Sequence, residues 1–234
     1  MPRSILSAAL LLALGLGAAG YLVGGMHARG VEARRYVEVK GLAEREVPAD
    51  LGVWALTITA TGDALEPLQR EIDEQARRLE AFFGERGFGD EETARGITNV
   101  EDAYATNRGG QRPPTRYVAR ADFTVRTTDV DRLRDALAAS ASLLAEGVLV
   151  QSKNAWRPVE YAFTGLNDLK PAMIEEATRN AREVAEKFAE DSDAEVGKIR
   201  YARQGLFSIS DRDATTPEVK TVRVVSTVQF SLED

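Results

Sequence analysis

LGVWALTITAT (Leu51–Thr61) and, two residues on, DALEPLQREIDEQARRLEAFF (Asp63–Phe83) carry two different hydrophobic periods, and together they decide the fold class. In the first stretch Trp54, Leu56, Ile58 and Ala60 recur at every second residue, which lines them along one face of a strand. In the second, Leu65, Leu68, Ile72, Ala76, Leu79 and Phe83 follow at three- and four-residue steps, the apolar stripe of a helix. Asp63 with Glu66 three residues later reads as a capping box, and Gly87 suits the helix exit. Upstream, Tyr36–Val47 reads as a strand joined to Leu51–Thr61 through a Pro48-Ala49-Asp50 turn. The resulting unit is strand, strand, helix.

The same unit recurs twice and closes with a final strand pair. Strands are expected near Thr93–Tyr104 and Arg116–Thr127, the latter with Tyr117, Ala119, Ala121, Phe123 and Val125 on one face. Its other face carries Arg116, Arg120, Asp122, Thr124 and Arg126, so this sheet turns one side to water. Asp129 then caps a helix bearing Val130, Leu133, Leu137, Ala141 and Leu144, ending at Gly147. The third unit has strands near Val148–Ala155 and Val159–Thr164. Asn167 or Asp168 opens a long helix that tolerates Pro171 in its first turn. Ala177, Ala181, Ala185 and Ala189 form a row of small residues, with Ile174, Val184 and Phe188 alongside, that lets the helix sit close to a neighbour. Strands near Lys198–Ser208 and Val219–Leu232 end the chain, the last with Val222, Val224, Val228, Phe230 and Leu232 on one face. Short strand–strand links argue for antiparallel α+β layers in one composite domain over residues 36–234.

Before this domain lies an apolar run. Ser4–Met26 holds 23 residues without a formal charge, long enough at about 1.5 Å per residue to cross a hydrocarbon core of roughly 30 Å. The expectation is a retained single-pass signal-anchor over residues 1–28, a short linker over 29–35, and export of the remainder to the periplasm. The alternatives are a secretory signal cut after Ala18-Ala19-Gly20, leaving a mature chain that starts at Tyr21, and a buried soluble helix. Arg29, Arg34 and Arg35 beyond the run oppose export by the positive-inside rule, but large domains translocate largely regardless of charge.

Composition excludes more chemistry than it suggests. There are 30 Lys and Arg against 37 Asp and Glu, a net charge of −7 that argues against a nucleic-acid partner and against binding an anionic membrane surface. No cysteine is present, which removes disulfides, thiol nucleophiles and thiolate metal sites. The one histidine, His27, sits at the edge of the apolar run, so the domain beyond it has no imidazole for a triad, a general base or a metal.

The remaining motifs each have a plain structural reading. Asp191-Ser-Asp-Ala-Glu-Val-Gly197 resembles a calcium loop but puts Gly at the seventh place and Ala202 at the twelfth, so a solvated turn is expected. Asp211-Arg-Asp-Ala-Thr-Thr-Pro217 pairs two carboxylates around an arginine, and reads as a hairpin loop. Asn107–Pro114, next to Arg116, is a basic glycine-rich hairpin tip without the Gly-Lys-Ser/Thr of a phosphate cradle, and could otherwise contact another subunit or an acidic envelope polymer. Lys170 is a helix-start lysine facing water. Trp54 and Trp156 read as core or interface packing. No residue set emerges as catalytic, cofactor-binding or metal-binding, and no cofactor is expected.

Leu166-Asn-Asp-Leu-Lys-Pro-Ala-Met-Ile-Glu-Glu-Ala-Thr-Arg-Asn-Ala-Arg182, with its alanine row and the following Gly197, resembles the long helix of the SIMPL-domain family of bacterial envelope proteins. Val37–Gly41 through Val47–Asp50 is similar to the family's opening hairpin. Gln204–Asp213 and the closing Val-rich strand are similar to an anchored subgroup. The resemblance implies an α+β fold, an envelope location, ring- or channel-like oligomers in some members and oxidative-stress tolerance in others. It supplies no catalytic residues. The combined expectation is antiparallel sheets packed on three helices behind one transmembrane helix, in a non-enzymatic inner-membrane protein that self-assembles. An unpaired Val219–Leu232 strand would invite that assembly. The competing expectations are a carboxylate-dependent glycan enzyme, which needs two acids about 5–10 Å apart in a cleft, and a binding module with an aromatic-lined pocket.

Overall fold

A computed structural model of the chain describes residues 12–21, 35–106, 109–110 and 112–233. Among the described residues from 35 onward, nine strands and three principal helices follow in order: β1 (Tyr36–Pro48), β2 (Leu51–Gly62), α1 (Leu65–Glu85), β3 (Thr93–Asp102), β4 (Tyr117–Thr127), α2 (Val130–Ala139), β5 (Val150–Ser152), β6 (Val159–Ala162), α3 (Leu166–Glu190), β7 (Glu195–Gln204), β8 (Ser208–Asp211) and β9 (Val219–Glu233). Single helical turns lie at Ala103–Thr106 and Ser142–Ala145. The class is α+β with antiparallel sheets.

By the density of their contacts the described residues form two compact units. The first comprises Met1–Arg45, Asn167–Ile209 and Val222–Asp234; the second comprises Glu46–Leu166 and Ser210–Thr221.

In the second unit the strands are ordered β3-β4-β2-β5, with β6 also on β2. β2 and β4 pair antiparallel from Gly52↔Thr127 to Gly62↔Tyr117, which stacks Trp54, Leu56 and Ile58 beside Val125, Phe123 and Ala121. The α1 stripe covers this face. Leu68, Ile72, Ala76, Leu79 and Phe83 are all buried, and the Phe83 ring meets Trp54 edge-on at 5.7 Å. Trp54 donates its indole N–H to Ser152 Oγ at 3.0 Å, satisfying its one polar atom. Gly87 ends the α1 exit with φ +80, a left-handed conformation that glycine adopts without steric cost.

In the first unit the sheet runs β1-β9-β7, and β8 is a further partner of β9. Helix α3 packs its alanine row on this sheet. Ala181 and Ala185 join Val39, Val228 and Phe230 in the core, and Asn180 Nδ2 donates to the Leu42 carbonyl at 2.7 Å.

Several expectations are corrected by the pairing. β1 and β2 do not form a hairpin: they belong to different sheets. The link between them is fastened elsewhere, with Ala49 N–H donating to the Glu218 carbonyl and Asp50 accepting from Thr164 and Gly165. The Asp63–Glu66 capping box is absent. Helix α1 begins after Ala64, without a side-chain cap, and Asp63 instead accepts from Arg116 N–H at 2.9 Å. The helix capped by Asp129, which accepts from Arg132 N–H, stops at Ala139 rather than running to Gly147. The break shifts the phase, so Leu143 is buried and Leu144 exposed. Pro171 falls in the second turn of α3, because that helix starts at Leu166. β9 has strand partners on both sides and is not a free edge.

The Ser4–Met26 run lies outside the described residues except at 12–21, which are helical and exposed. Among the described residues no helix is long and apolar enough to cross a membrane.

Candidate functional site

A cleft of about 670 Å³ opens on the second unit. Four segments build it: Arg134 and Leu137 on α2, the Trp156–Tyr161 stretch entering β6, the loop between β8 and β9, and the start of β9. Its polar wall centres on Asp211. One carboxylate oxygen accepts from Lys220 Nζ and the other lies 2.9 Å from Arg157 Nη2. Lys220 is only 5% exposed, whereas the Arg157 side chain is 66% exposed at the mouth. A buried ammonium needs a partner, because desolvation would otherwise expel its charge. The Lys220 bond, with Arg157 adding to it, holds the Asp211 carboxyl below its ordinary range. Burial, and secondarily Glu218, pushes the Tyr161 phenol up, so it stays protonated at neutral pH.

The rim of the cleft carries Trp156, 95% exposed. Asn154 Oδ1 accepts from the backbone N–H of both Trp156 and Arg157, at 3.0 and 3.2 Å, an Asx turn that sets where both side chains start.

This geometry sorts the residues singled out in the sequence. Asp211 lies in the cleft, but Asp213 does not join it. The Asp213 carboxylate turns into its own loop, accepting from Thr215 N at 2.8 Å, Thr216 N at 2.9 Å and both threonine hydroxyls at 2.6 Å. Those bonds pull its pKa strongly down. An acid/base pair needs one carboxyl held protonated and one ionised; here both are driven toward the ionised form. Trp54 is core, and Trp156 is not. Asp191 and Asp193 sit in the turn between α3 and β7, with Asp193 at φ +50, and no group of three acidic or histidine side chains gathers to hold a metal among the described residues. Lys170 donates to Asn167 Oδ1 at 2.8 Å. Of the basic tip, residues 107, 108 and 111 lie outside the described residues; Arg112 stacks 4.1 Å over the Tyr104 ring and Arg116 pairs with Asp102 at 2.9 Å.

Arg157 and Lys220 escaped the sequence reading. Lys220 left a signal, since it lies in phase with Val222, Val224 and Val228, whose alternation marks the buried face of β9.

The sequence profile of SIMPL, a protein of unknown function (DUF541), matches residues 37–230. The chain belongs to the SIMPL family. The match covers both units, so the alanine row of α3 and the cleft residues alike lie within the family's domain. No curated protein matches the sequence of this SIMPL chain. Among solved structures, a hydantoinase/carbamoylase family amidase from Burkholderia ambifaria aligns at 17% identity and TM-score 0.28, over 56% of this chain and 34% of its own. The chain therefore spans about a third of that amidase's length. The ligand-free regulatory subunit of aspartate kinase from Thermus thermophilus aligns at 18% identity and TM-score 0.23, over 82% and 89%. Neither likeness is close enough to bear on fold or function.

Proposed function

We propose that this SIMPL protein is a non-catalytic cell-envelope protein, held at the inner membrane by residues 4–26 with its folded part in the periplasm, that works by binding. The observation that carries the reading is the state of Asp211. It is the carboxylate at the heart of the cleft, it is held ionised by contacts from both Lys220 and Arg157, and Asp213, two residues on, is turned away. The chain has no cysteine, and its one histidine, His27, lies outside the domain, which removes the thiol nucleophile and the imidazole base. The test is to incubate detergent-extracted full-length protein with purified envelope glycan and peptide fractions, and follow mass and retention together. Retention without covalent change is expected. A product whose formation is lost in Asp211→Asn would overturn the reading.

A second function, self-assembly, is supported by β7. This strand has β9 on one side and, among the described residues, no strand partner on the other, and none of its ten residues is buried, Ile199 and Tyr201 included. Such an edge offers its main chain to another copy. Mass photometry of the extracted protein should show multiples of the 25.5 kDa chain, reduced by Ile199→Lys with Tyr201→Lys; a monomer throughout would remove this function.

A further inference from the structure

We propose that the cleft of the second unit is a glycan subsite that takes an uncharged pyranose unit, seated with its C–H face on the Trp156 indole. The proposal rests on the binding reading above and names the ligand. No described large apolar side chain is more exposed than Trp156, yet its backbone is fixed by the Asn154 turn. A platform held in place loses less freedom on binding than one on a wandering loop. An indole presents an apolar face and one polar edge, which suits ligands that are themselves apolar on one side and polar around the rim.

The charges in the cleft select among such ligands. Arg134, Arg157 and Lys220 stand against Asp211, Glu160 and Glu218, so the formal charge of the cleft is zero. An anion or a cation gains nothing from that sum, and one that engages Asp211, Arg157 or Lys220 would have to break the chain they form. Hydroxyls and amides need no such break. A carboxylate has about four lone-pair sites and a guanidinium five N–H donors. Asp211 spends one contact on each cation, which leaves acceptor sites on its oxygens and donors on Arg157 for a hydroxyl to bridge. The neutral Tyr161 phenol adds one further donor and acceptor on the same wall. A cleft of about 670 Å³ falls within the range of roughly 300–1,000 Å³ usual for small-ligand sites. An extended proline-rich peptide is the competing occupant for an aromatic-rimmed groove. It is disfavoured because it lacks the hydroxyl rim that would use the paired charges.

Ligand-observed NMR on detergent-extracted full-length protein is the test, with N,N′-diacetylchitobiose and cellobiose as probes and decaproline as the competitor. Both saccharides should bind with constants of about 1 mM, the scale expected of a shallow single-ring contact. Trp156→Ala should weaken binding about tenfold, Arg157→Met several-fold, and Trp156→Phe least. The exposed Trp156 carries no core packing, so circular dichroism melting of these Trp156 variants should match the parent. In the parent, saccharide should shield emission from acrylamide, because Trp54 is buried and only Trp156 is open to the quencher. No saccharide binding at about 10 mM, equal binding by Trp156→Ala, or binding of decaproline alone would overturn the proposal. Saccharide that binds at Trp156 and is cleaved would instead sink the non-catalytic reading and leave the ligand assignment standing.

Discussion

Gly41→Ala is the sharpest test of how the first unit is held together. Gly41 lies on β1 against α3, where an added Cβ would stand 1.8 Å from the Ala177 carbonyl oxygen and 2.6 Å from the Ala181 nitrogen. Cβ atoms essentially never approach closer than 3.0 Å, so the substitution is short of room by 1.2 Å. Both obstructing atoms are main chain, and no rotamer change can clear them. The helix must lift from the strand along the row Ala177, Ala181 and Ala185, each fully buried. A gap of about 0.5–1 Å already forfeits a quarter to a half of each contact's attraction. Overpacking of this kind costs typically 1–3 kcal/mol, and a backbone obstacle places Gly41→Ala at about 3 kcal/mol. At roughly 2–4 °C per kcal/mol for a domain of this size, the melting temperature should fall by about 6–12 °C. The assay is thermal and urea unfolding of detergent-extracted protein by far-ultraviolet circular dichroism. Gly84→Ala, inside α1 with nothing within 4 Å of the new Cβ, is the matched control and should stabilise by about 0.5–1 kcal/mol. Shaving Ala177 or Ala181 to Gly must not rescue Gly41→Ala. A Gly41→Ala protein within about 0.5 kcal/mol of the parent would refute the close helix–strand approach.

Asp211→Asn should cost about 3 kcal/mol in urea unfolding, because it strands the Lys220 ammonium inside the protein; Asp211→Asn with Lys220→Met should recover most of that, and additive losses would deny the pairing. Acid should weaken the second unit first. The carboxyls of Asp73, Glu92, Asp102, Asp122 and Asp211 all lie there and are all held below their ordinary values, chiefly by hydrogen bonds from Arg95, Thr127, Arg116, Lys153 and Lys220 in turn. A lowered folded-state pKa contributes stability that is complete above the unfolded value near 4 and is lost as pH falls through the folded one. Melts followed by the emission of Trp54 should therefore be flat from pH 7 to 5 and drop below pH 4; a rise in stability on acidification would contradict the ion pairing. Intact-mass analysis of membrane-extracted protein should show residues 1–28 retained, and protease added to spheroplasts should digest residues 28–234. A chain starting at Tyr21 would defeat the anchor, and full protection would defeat the orientation.

Local periods were legible because they depend on neighbours a few residues apart. The two-residue alternation of β2 and β4, the α1 stripe from Leu68 onward, with Leu65 left exposed, and the α3 alanine row occur where their spacing puts them. Partner choice was not legible, because it is settled by groups far along the chain. The Pro48-Ala49-Asp50 link has the length of a hairpin turn, but Asp50 accepts two main-chain N–H bonds from Thr164 and Gly165, 114 and 115 residues away. That clasp uses the link to tie β2 beside β6, and β2 takes β4 as its long partner instead of β1. The failed capping box has the same origin. Asp63 can satisfy only so many donors, and a distant strand end supplies Arg116 N–H in place of the first turn of α1.

The candidate site was hidden for a related reason, yet one residue disclosed it. Cleft residues come from four segments whose order in the chain carries no shared motif, so a search for spaced carboxylates or glycine loops passes over them. Lys220 is different. The valine alternation of β9 fixes which residues face inward, and Lys220 is in phase with them. An inward ammonium is stable only beside a carboxylate. The hairpin between β8 and β9, closed by Arg212 N–H on the Val219 carbonyl, brings Asp211 across from Lys220. Strand phase, hairpin closure and the cost of a buried charge together lead from the sequence to the pair at the centre of the cleft. Trp156 follows from neither phase nor charge. Its place at the rim depends on Asn154 turning the chain, and on Arg157, the next residue, being drawn to the same Asp211.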